Sequence, residues 1–338
     1  MSFKRLEQDD FVVSADSITA GLWTGNAAEL TTFVTSSAQV AGASGNYYYN
    51  VYDSLALENI QFAIAYGDLK GSGSANFDNA VDGKSPSATI YGQYRSLVLG
   101  DENADFVFGG ETVENFYAIS IDRNRFKETI FPGSMTMVIE GSGGASVTLT
   151  DNSKVATSVE FKDSGRVFQL VSGSAGTVNT SLNATGYSNS GSYGWLLPDI
   201  GTILLNPAAL DAAAVDGGIV LGTQRNSAIS NTDDNNALLY DTYVAGGSFT
   251  LNSQETITSD YIFVRPRSSE FNYSENPSFI SGSTGEVIYD DFINNPQVYL
   301  TTVGLYNDNN ELLAVAKLSK PLLKDFTKEA LVRVKLDF

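Results

Sequence analysis

Hydrophobic and polar positions alternate most regularly at the carboxyl end of the chain. Val332, Val334, Leu336 and Phe338 fall on one face there, and Arg333, Lys335 and Asp337 on the other. A period of two predicts a half-buried strand running to the last residue. A terminus tied down in a sheet is unusual enough to suggest a purpose. Just upstream, VYLTTVGLY (Val298 to Tyr306) and ELLAVAKLS (Glu311 to Ser319) flank Asn307-Asp308-Asn309-Asn310. Asn and Asp tolerate positive φ and bond their own backbone, so the pattern predicts a β-hairpin. Both faces of its strands are apolar, as in strands lying inside a sandwich and not at its edge. Ten more short strands are expected at Tyr47 to Tyr52, Gln61 to Tyr66, Phe116 to Asp122, Met135 to Glu140, Val147 to Thr150, Arg166 to Val171, Trp195 to Leu197, Thr202 to Leu205, Ser248 to Leu251 and Tyr261 to Val264. Short strands separated by Gly, Ser and Asn clusters argue for sandwiches or barrels.

Two segments carry helical signals instead. Ser85 and Pro86 occupy N-cap and first-turn positions, Ile90, Tyr94, Leu97 and Val98 recur at helical spacing, and Gly100 follows as a stop. A helix is therefore expected over 86–99. A second is expected from Pro207 to Val215, capped by Asn206 and ended by Gly217-Gly218. The fold class read from the pattern is all-β, mainly antiparallel sandwich or barrel domains, with two short helices and long irregular straps.

Changes in texture along the chain divide it into a β-rich region with one helix (1–140), a Gly/Ser-rich inserted β region (141–194) and a second β-rich region with the terminal hairpin and strand (195–338). Arg225 to Asn236 (RNSAISNTDDNN) has no periodicity and is expected to be a long loop. Arg265 to Pro296 is sparse in regular pattern yet carries Phe271, Tyr273, Phe279, Tyr289 and Phe292. Aromatic side chains on an irregular strap pin it to a surface, either the protein's own or a neighbour's.

Composition narrows the chemistry. The 338 residues include no His and no Cys. Disulfides, thiolate sites, Ser-His-Asp and Cys-His nucleophiles and ordinary zinc or iron sites are thereby excluded. Twenty Lys plus Arg against 39 Asp plus Glu give a net charge of −19. Such a chain is repelled by nucleic acid and anionic membrane, so nucleic acid is not expected as its main partner. No run of 18 apolar residues occurs and no secretory signal opens the chain, so neither membrane insertion nor export is expected. The charge is uneven. From Lys317 onward six basic residues stand against three acidic ones, while the preceding residues hold fourteen basic and thirty-six acidic. A basic terminal strand on an acidic body fits electrostatic docking between copies or with an acidic partner, and equally a solvated face whose lysines discourage edge pairing.

Candidate catalytic groups are carboxylates: Asp9 and Asp10, Asp101 and Glu102, Asp233 and Asp234, Asp290 and Asp291. Adjacent acids on a strand point to opposite faces, and none of these pairs sits in a pattern that separates a glycosidase acid from a solvated turn. Asn231 to Asn236 and Asn307 to Asn310 are oxygen-rich but lack the glycine and bidentate Glu of a calcium loop, so turns account for both. Gly141 to Gly144 lacks the Lys and the strand-to-helix setting of a phosphate loop. Tyr47-Tyr48-Tyr49 with Trp23 or Trp195 has the chemistry of a sugar platform, although Tyr in alternating strands is more often core or interface. No catalytic, cofactor or metal residue is assigned, and no enzymatic activity is expected.

Three blocks carry a family resemblance: Ile90-Tyr91-Gly92-Gln93-Tyr94-Arg95-Ser96-Leu97-Val98-Leu99, Ser192-Tyr193-Gly194-Trp195-Leu196-Leu197-Pro198-Asp199, and Tyr299 to Tyr306 with Lys317-Leu318-Ser319-Lys320-Pro321. In these the chain resembles virion structural proteins of contractile-tailed phages, especially those of cyanobacterial and marine hosts. The hairpin GLYNDNNELLAVAKL is also similar to one found in tail-fibre attachment domains. The resemblance implies a tail or baseplate component, assembled in the bacterial cytoplasm and residing in the virion. Its partners would be copies of itself and other virion proteins, in multiples of three or six. It also leaves open a receptor-recognition or fibre-attachment module that touches the host surface through 141–194, and a head or neck position; a carboxylate-dependent glycan hydrolase is the enzymatic alternative. Lys317 to Phe338 and Arg265 to Pro296 are expected to carry much of the contact between subunits.

Overall fold

The structure is a computed structural model that describes residues 3–75, 85–181, 187, 189–225, 235–274 and 277–337. In chain order its elements begin β1 Phe11–Gly21, β2 Glu29–Leu30, α1 Ser37–Ala41, β3 Tyr48–Tyr52, β4 Ile60–Asp68, α2 Pro86–Leu99, β5 Phe106–Phe108, β6 Glu111–Val113, β7 Asn115–Ile121, β8 Thr129–Ile130, β9 Thr136–Glu140 and β10 Ser146–Asp151. They continue with β11 Glu160–Lys162, β12 Gly165–Ser172, β13 Gly194–Leu197, β14 Thr202–Leu205, α3 Pro207–Asp211, α4 Asn235–Gly246, β15 Ser248–Thr250, β16 Asn252–Val264, α5 Asp291–Asn294, β17 Val298–Tyr306, β18 Leu312–Lys324 and β19 Val332–Asp337. Each strand expected from the pattern is present, and the fold is all-β with a few short helices.

The chain forms two units, one of Ile18–Glu255 and one of Met1–Ser17 with Thr256–Phe338. The first is built on an antiparallel sheet in the order β2-β15-β9-β10-β12-β13-β14-β7-β4-β3, with β11 added on β12. The stretch 141–194 contributes strands to this sheet. Its strands β10 and β12 are hydrogen-bonded between β9 and β13, and Val147, Leu149, Val167, Phe168 and Leu170 are buried in the cores of this unit. Turn residues dominate its composition while the inward positions are apolar.

Both faces of this sheet are covered, which explains the near-continuous apolar runs of its central strands. Phe62, Ile64, Tyr117, Ile119, Leu196, Ile203 and Leu205 point to one core, where Leu239 and Tyr243 of α4 and Ala209 and Leu210 of α3 lie over them. Their neighbours Ala65, Phe116, Ala118, Trp195, Leu197 and Leu204 point to the other, against Ile90, Tyr91, Tyr94 and Val98 of α2 and Phe106 and Phe108 of β5. Helix α2 begins where expected, with the Ser85 Oγ accepting from the Ala88 N–H, and ends on Gly100 at φ 65°, a left-handed residue that glycine adopts without strain. Gly67 lets this helix approach the sheet, since a Cβ there would lie 2.9 Å from the Phe116 ring and 3.1 Å from the Tyr91 nitrogen.

Two helical expectations are revised. The helix from Pro207 stops at Asp211, and Ala214–Asp216 forms a separate 3-10 turn, because Ala212 and Ala213 leave the helical conformation. Helix α4 begins on Asn235 and Asn236, the last two residues of a stretch read as loop, of which 226–234 lie outside the described residues, and continues through residues given no element. Its buried face opens with Asn235 and Asn236, not with aliphatics, so the apolar period is masked. Those amides donate to backbone carbonyls, Asn235 to Gly73 (2.9 Å) and Gln224 (3.0 Å), and Asn236 to Gly45 (3.1 Å).

In the second unit β16 lies between β1 and β19, and β17 pairs with β18 as a separate two-stranded sheet. The alternation expected of the last strand is present: Val332 and Val334 are buried and lie opposite Val264 and Ile262. The hairpin is not the interior element its two apolar faces suggested. Val303, Leu305, Ala316 and Leu318 pack on Ile262, Val332 and Val334, but the opposite face has no covering layer among the described residues.

One ion pair ties β12, β8 and the turn after β13 together. The Asp199 carboxylate accepts from the Arg166 N–H (2.8 Å), the Arg166 Nε (3.1 Å) and the Thr129 hydroxyl (3.2 Å). Burial pushes the Asp199 carboxyl up, but the Arg166 and Thr129 donors outweigh it and hold the group below the usual carboxylate range. A carboxyl whose pKa is lower in the folded chain adds stability above its unfolded value and loses it as pH falls through the folded one. Asp199→Asn is therefore expected to lower the urea midpoint at neutral pH and to have progressively less effect as the pH falls below the usual carboxylate range. An undiminished effect in acid would contradict this role.

Candidate functional site

The two units differ sharply in how much apolar surface they bury. Among the described residues Ile18–Glu255 has forty-six buried apolar residues; the other unit has four, Ile262, Val298, Val332 and Val334. That same smaller unit exposes seventeen large hydrophobic side chains, against fifteen in the much longer one. Scattered exposed apolar residues are ordinary, but a group of this density on so small a core is not.

The densest part is the outer face of the β17–β18 hairpin. Strand alternation that turns Ala314 and Ala316 inward turns Leu313 and Val315 outward, where they are 68% and 59% exposed. Tyr299 is 66% exposed on the partner strand. Gly304 lies opposite Val315, and a Cβ on it would come within 2.9 Å of the Tyr306 ring and 3.4 Å of Leu312, so the glycine leaves room for those side chains to lie across it. Phe3 packs edge-on against Tyr306, with ring centroids 5.1 Å apart.

A buried lysine fixes the strap beside this hairpin. Lys324, at the end of β18, is fully buried and donates to the Asn272 Oδ1 (2.7 Å), the Ser268 carbonyl (2.9 Å) and the Asp325 carbonyl (3.0 Å). The three donors of the ammonium thus meet three acceptors, two of them on the strap, and Asn272 in turn donates to Ser268 (2.7 Å). Farther along, Phe279, Tyr289 and Phe292 pack on one another, at centroid separations of 4.6 to 6.4 Å. The aromatics at these positions hold the strap to itself, while Tyr273 is 62% exposed.

The sheet β1-β16-β19 has a charged outer face. Arg333 and Lys335 lie 5.6 and 5.9 Å from the Tyr261 ring centroid, and Lys335 pairs with Asp337 at 2.8 Å. The hydrogen bond to Asp337 raises the Lys335 pKa, while the Lys335 and Ser259 bonds lower that of Asp337.

Of the carboxylates singled out in the sequence, Asp10 and Asp101 take part in turns and pairing. Asp9 is exposed; Asp10 is buried, accepting from the Glu7 N–H (3.2 Å) and facing Arg265 at 3.4 Å. Asp101 is exposed and accepts from the Asn103 N–H (2.8 Å), and Glu102, Asp290 and Asp291 are exposed. Asn231, Thr232, Asp233 and Asp234 lie outside the described residues. Among the described residues no three acidic side chains gather as a cation would require. Asn307 makes the hairpin turn by accepting from the Asn309 (3.0 Å) and Glu311 (2.8 Å) N–H groups, and Gly141 to Gly144 forms the turn between β9 and β10. Trp23 and Trp195 are buried with Tyr49, which leaves Tyr47 and Tyr48 exposed without them.

A polar network that sequence reasoning missed lies inside the larger unit. The buried Asp68 carboxylate accepts from the Arg225 Nε (3.0 Å) and from the N–H groups of Lys70 (2.9 Å) and Ser72 (3.0 Å), and Arg225 also reaches Glu114 (3.0 Å). Burial raises the Asp68 pKa, opposed by Arg225 and the two N–H donors. Ser74, Ser85 and Ser87 bond one another and the Gly71 and Ser72 carbonyls beside it. The satisfied bonds hold the 68–75 loop to the start of α2, an anchoring role. Asp68 and Arg225 are 157 positions apart, and no local motif joins them.

Lys324→Met is expected to take its donor from the buried Asn272 Oδ1 and one of two donors from the Ser268 carbonyl, to destabilise the smaller unit by about 2 kcal/mol and to open Arg265 to Tyr273 to limited proteolysis. Wild-type protease resistance in that variant would show that the lysine does not hold the strap. No protein-family model, curated protein or solved structure matches the chain.

Proposed function

We propose that the chain is a non-enzymatic structural component of a phage virion, of the tail or baseplate, working through contacts with copies of itself and with other virion proteins. The observation that carries this reading is the imbalance in the smaller unit: four buried apolar residues beside seventeen exposed large ones among the described residues. Apolar surface left in water costs about 25 cal/mol per Å2, and burying it against a neighbour recovers that free energy. The three blocks that resemble virion structural proteins add support, and one of them is the hairpin whose outer face is uncovered. A strap held by Lys324 beside that face, with Tyr273 exposed on it, gives the surface a defined shape before any partner arrives.

The double substitution Leu313→Glu with Val315→Glu places two charges on the outer face of the hairpin. Both side chains are more than half exposed, so the thermal midpoint of the isolated chain is expected to stay close to wild type. Incorporation into particles, measured by quantitative mass spectrometry of purified virions, is expected to fall at least about tenfold. Normal incorporation of a normally folded variant would overturn the reading.

A further inference from the structure

The β1-β16-β19 sheet of the smaller unit ends on two strands that pair only with β16 among the described residues. A free edge presents a row of backbone donors and acceptors to any other strand, and proteins ordinarily blunt such edges with lysine, proline or a covering element. β1 carries neither lysine nor proline. From Phe11 to Gly21 it contains no Lys, Arg or Pro, its one charge is Asp16, and Phe11, Val12 and Val13 are 43%, 48% and 63% exposed. β19 carries Arg333 and Lys335, but their side chains lie over Tyr261 on the face of the sheet.

The sheet is therefore polar from edge to edge. Asp16 is the one charge on β1, while β19 carries Arg333 and Lys335 with Asp337, which pairs with Lys335, so the two edge strands hold net charges of opposite sign with Tyr261 of β16 between them. That arrangement decides between the ways two copies can join. Pairing β1 with β1 joins two strands of net negative charge, and pairing β19 with β19 joins two strands of net positive charge. Like charges on facing strands repel and opposite charges attract. Pairing β1 of one copy with β19 of the next brings strands of opposite net charge together.

Resting on the assembly reading above, we propose that β1 is the strand-addition site for β19 of a second copy of this chain, so that the β1-β16-β19 sheet continues from subunit to subunit. Such a contact is head-to-tail. It uses two different edges and leaves one of each free, so repetition gives a ring where the rotation closes and a filament where it does not.

The absence of cysteine gives the test a clean background. Single-cysteine variants of the full chain, Ser14→Cys on β1 and Arg333→Cys or Lys335→Cys on β19, are oxidised alone and in mixed pairs over a concentration series. Light scattering on the unsubstituted chain reports its oligomeric state in parallel. Neighbouring strands bring Cα atoms to about 4.5–5.5 Å, within disulfide range. The expected result is a disulfide-linked dimer in at least one mixture of a β1 variant with a β19 variant and in neither variant alone, with a yield that falls as salt is raised. Cross-linking of Ser14→Cys with itself at equal yield would overturn the proposal in favour of a symmetric pair. Oligomers by light scattering without any mixed cross-link would overturn it and leave the assembly reading standing. A chain that stays monomeric at every concentration, never cross-links and is absent from purified particles would remove both.

Discussion

Apolar burial on both faces of one antiparallel sheet is the interaction on which the rest of this protein depends. In β4, β7, β13 and β14 successive side chains enter two different cores, so a single set of strands organises α2 and β5 on one side and α3 and α4 on the other. A register slip of one residue would exchange the two cores, and their contents are not interchangeable. Gly67 and Ala118 admit α2 and its tyrosines, whereas Tyr66 and Tyr117 fill the opposite side. The mismatch fixes the register.

The smaller unit has no such arrangement. Its sheet is covered on one face by the inner face of a hairpin, and three aliphatic residues, Ile262, Val332 and Val334, form the centre of that contact. Local order comes instead from directed polar bonds: Lys324 on the strap, Asn307 in the turn, and Arg333 and Lys335 over Tyr261. Bonds of this kind specify geometry and contribute modestly to net stability. A unit held in shape more than it is held together suits a surface that becomes stable when a neighbour covers it, and the lack of His and Cys removes nothing such a task requires.

Much of this was legible in the sequence, and its limits have physical causes. Val332 to Asp337 and the strands at Tyr47 to Tyr52 and Phe116 to Asp122 are written in alternation or in apolar runs, and Ser85-Pro86 with Gly100 brackets α2. Helix α4 escaped because asparagines occupy its first buried positions, where their amides bond backbone carbonyls from three other segments. The hairpin was misread for the opposite reason. Two apolar faces signal burial, but a sequence does not say whether the second face is covered by the same chain. The Asp68–Arg225–Glu114 network had no local signature, since a carboxylate in a Gly/Ser turn and an arginine far along the chain are each unremarkable alone. The charge contrast was visible as a basic tail on an acidic body; the structure places Arg333 and Lys335 of that tail on one edge strand, beside a tyrosine.

Amide hydrogen exchange, measured on the isolated chain and on the chain within assembled particles, tests the central claim most directly. The account predicts slow exchange of β4, β7 and β14 in both states. For β17, β18 and β19 it predicts fast exchange in the isolated chain and strong protection on assembly, because their stability depends on surface that a neighbour must cover. Equal protection of those three strands in the isolated chain and in the particle would contradict it.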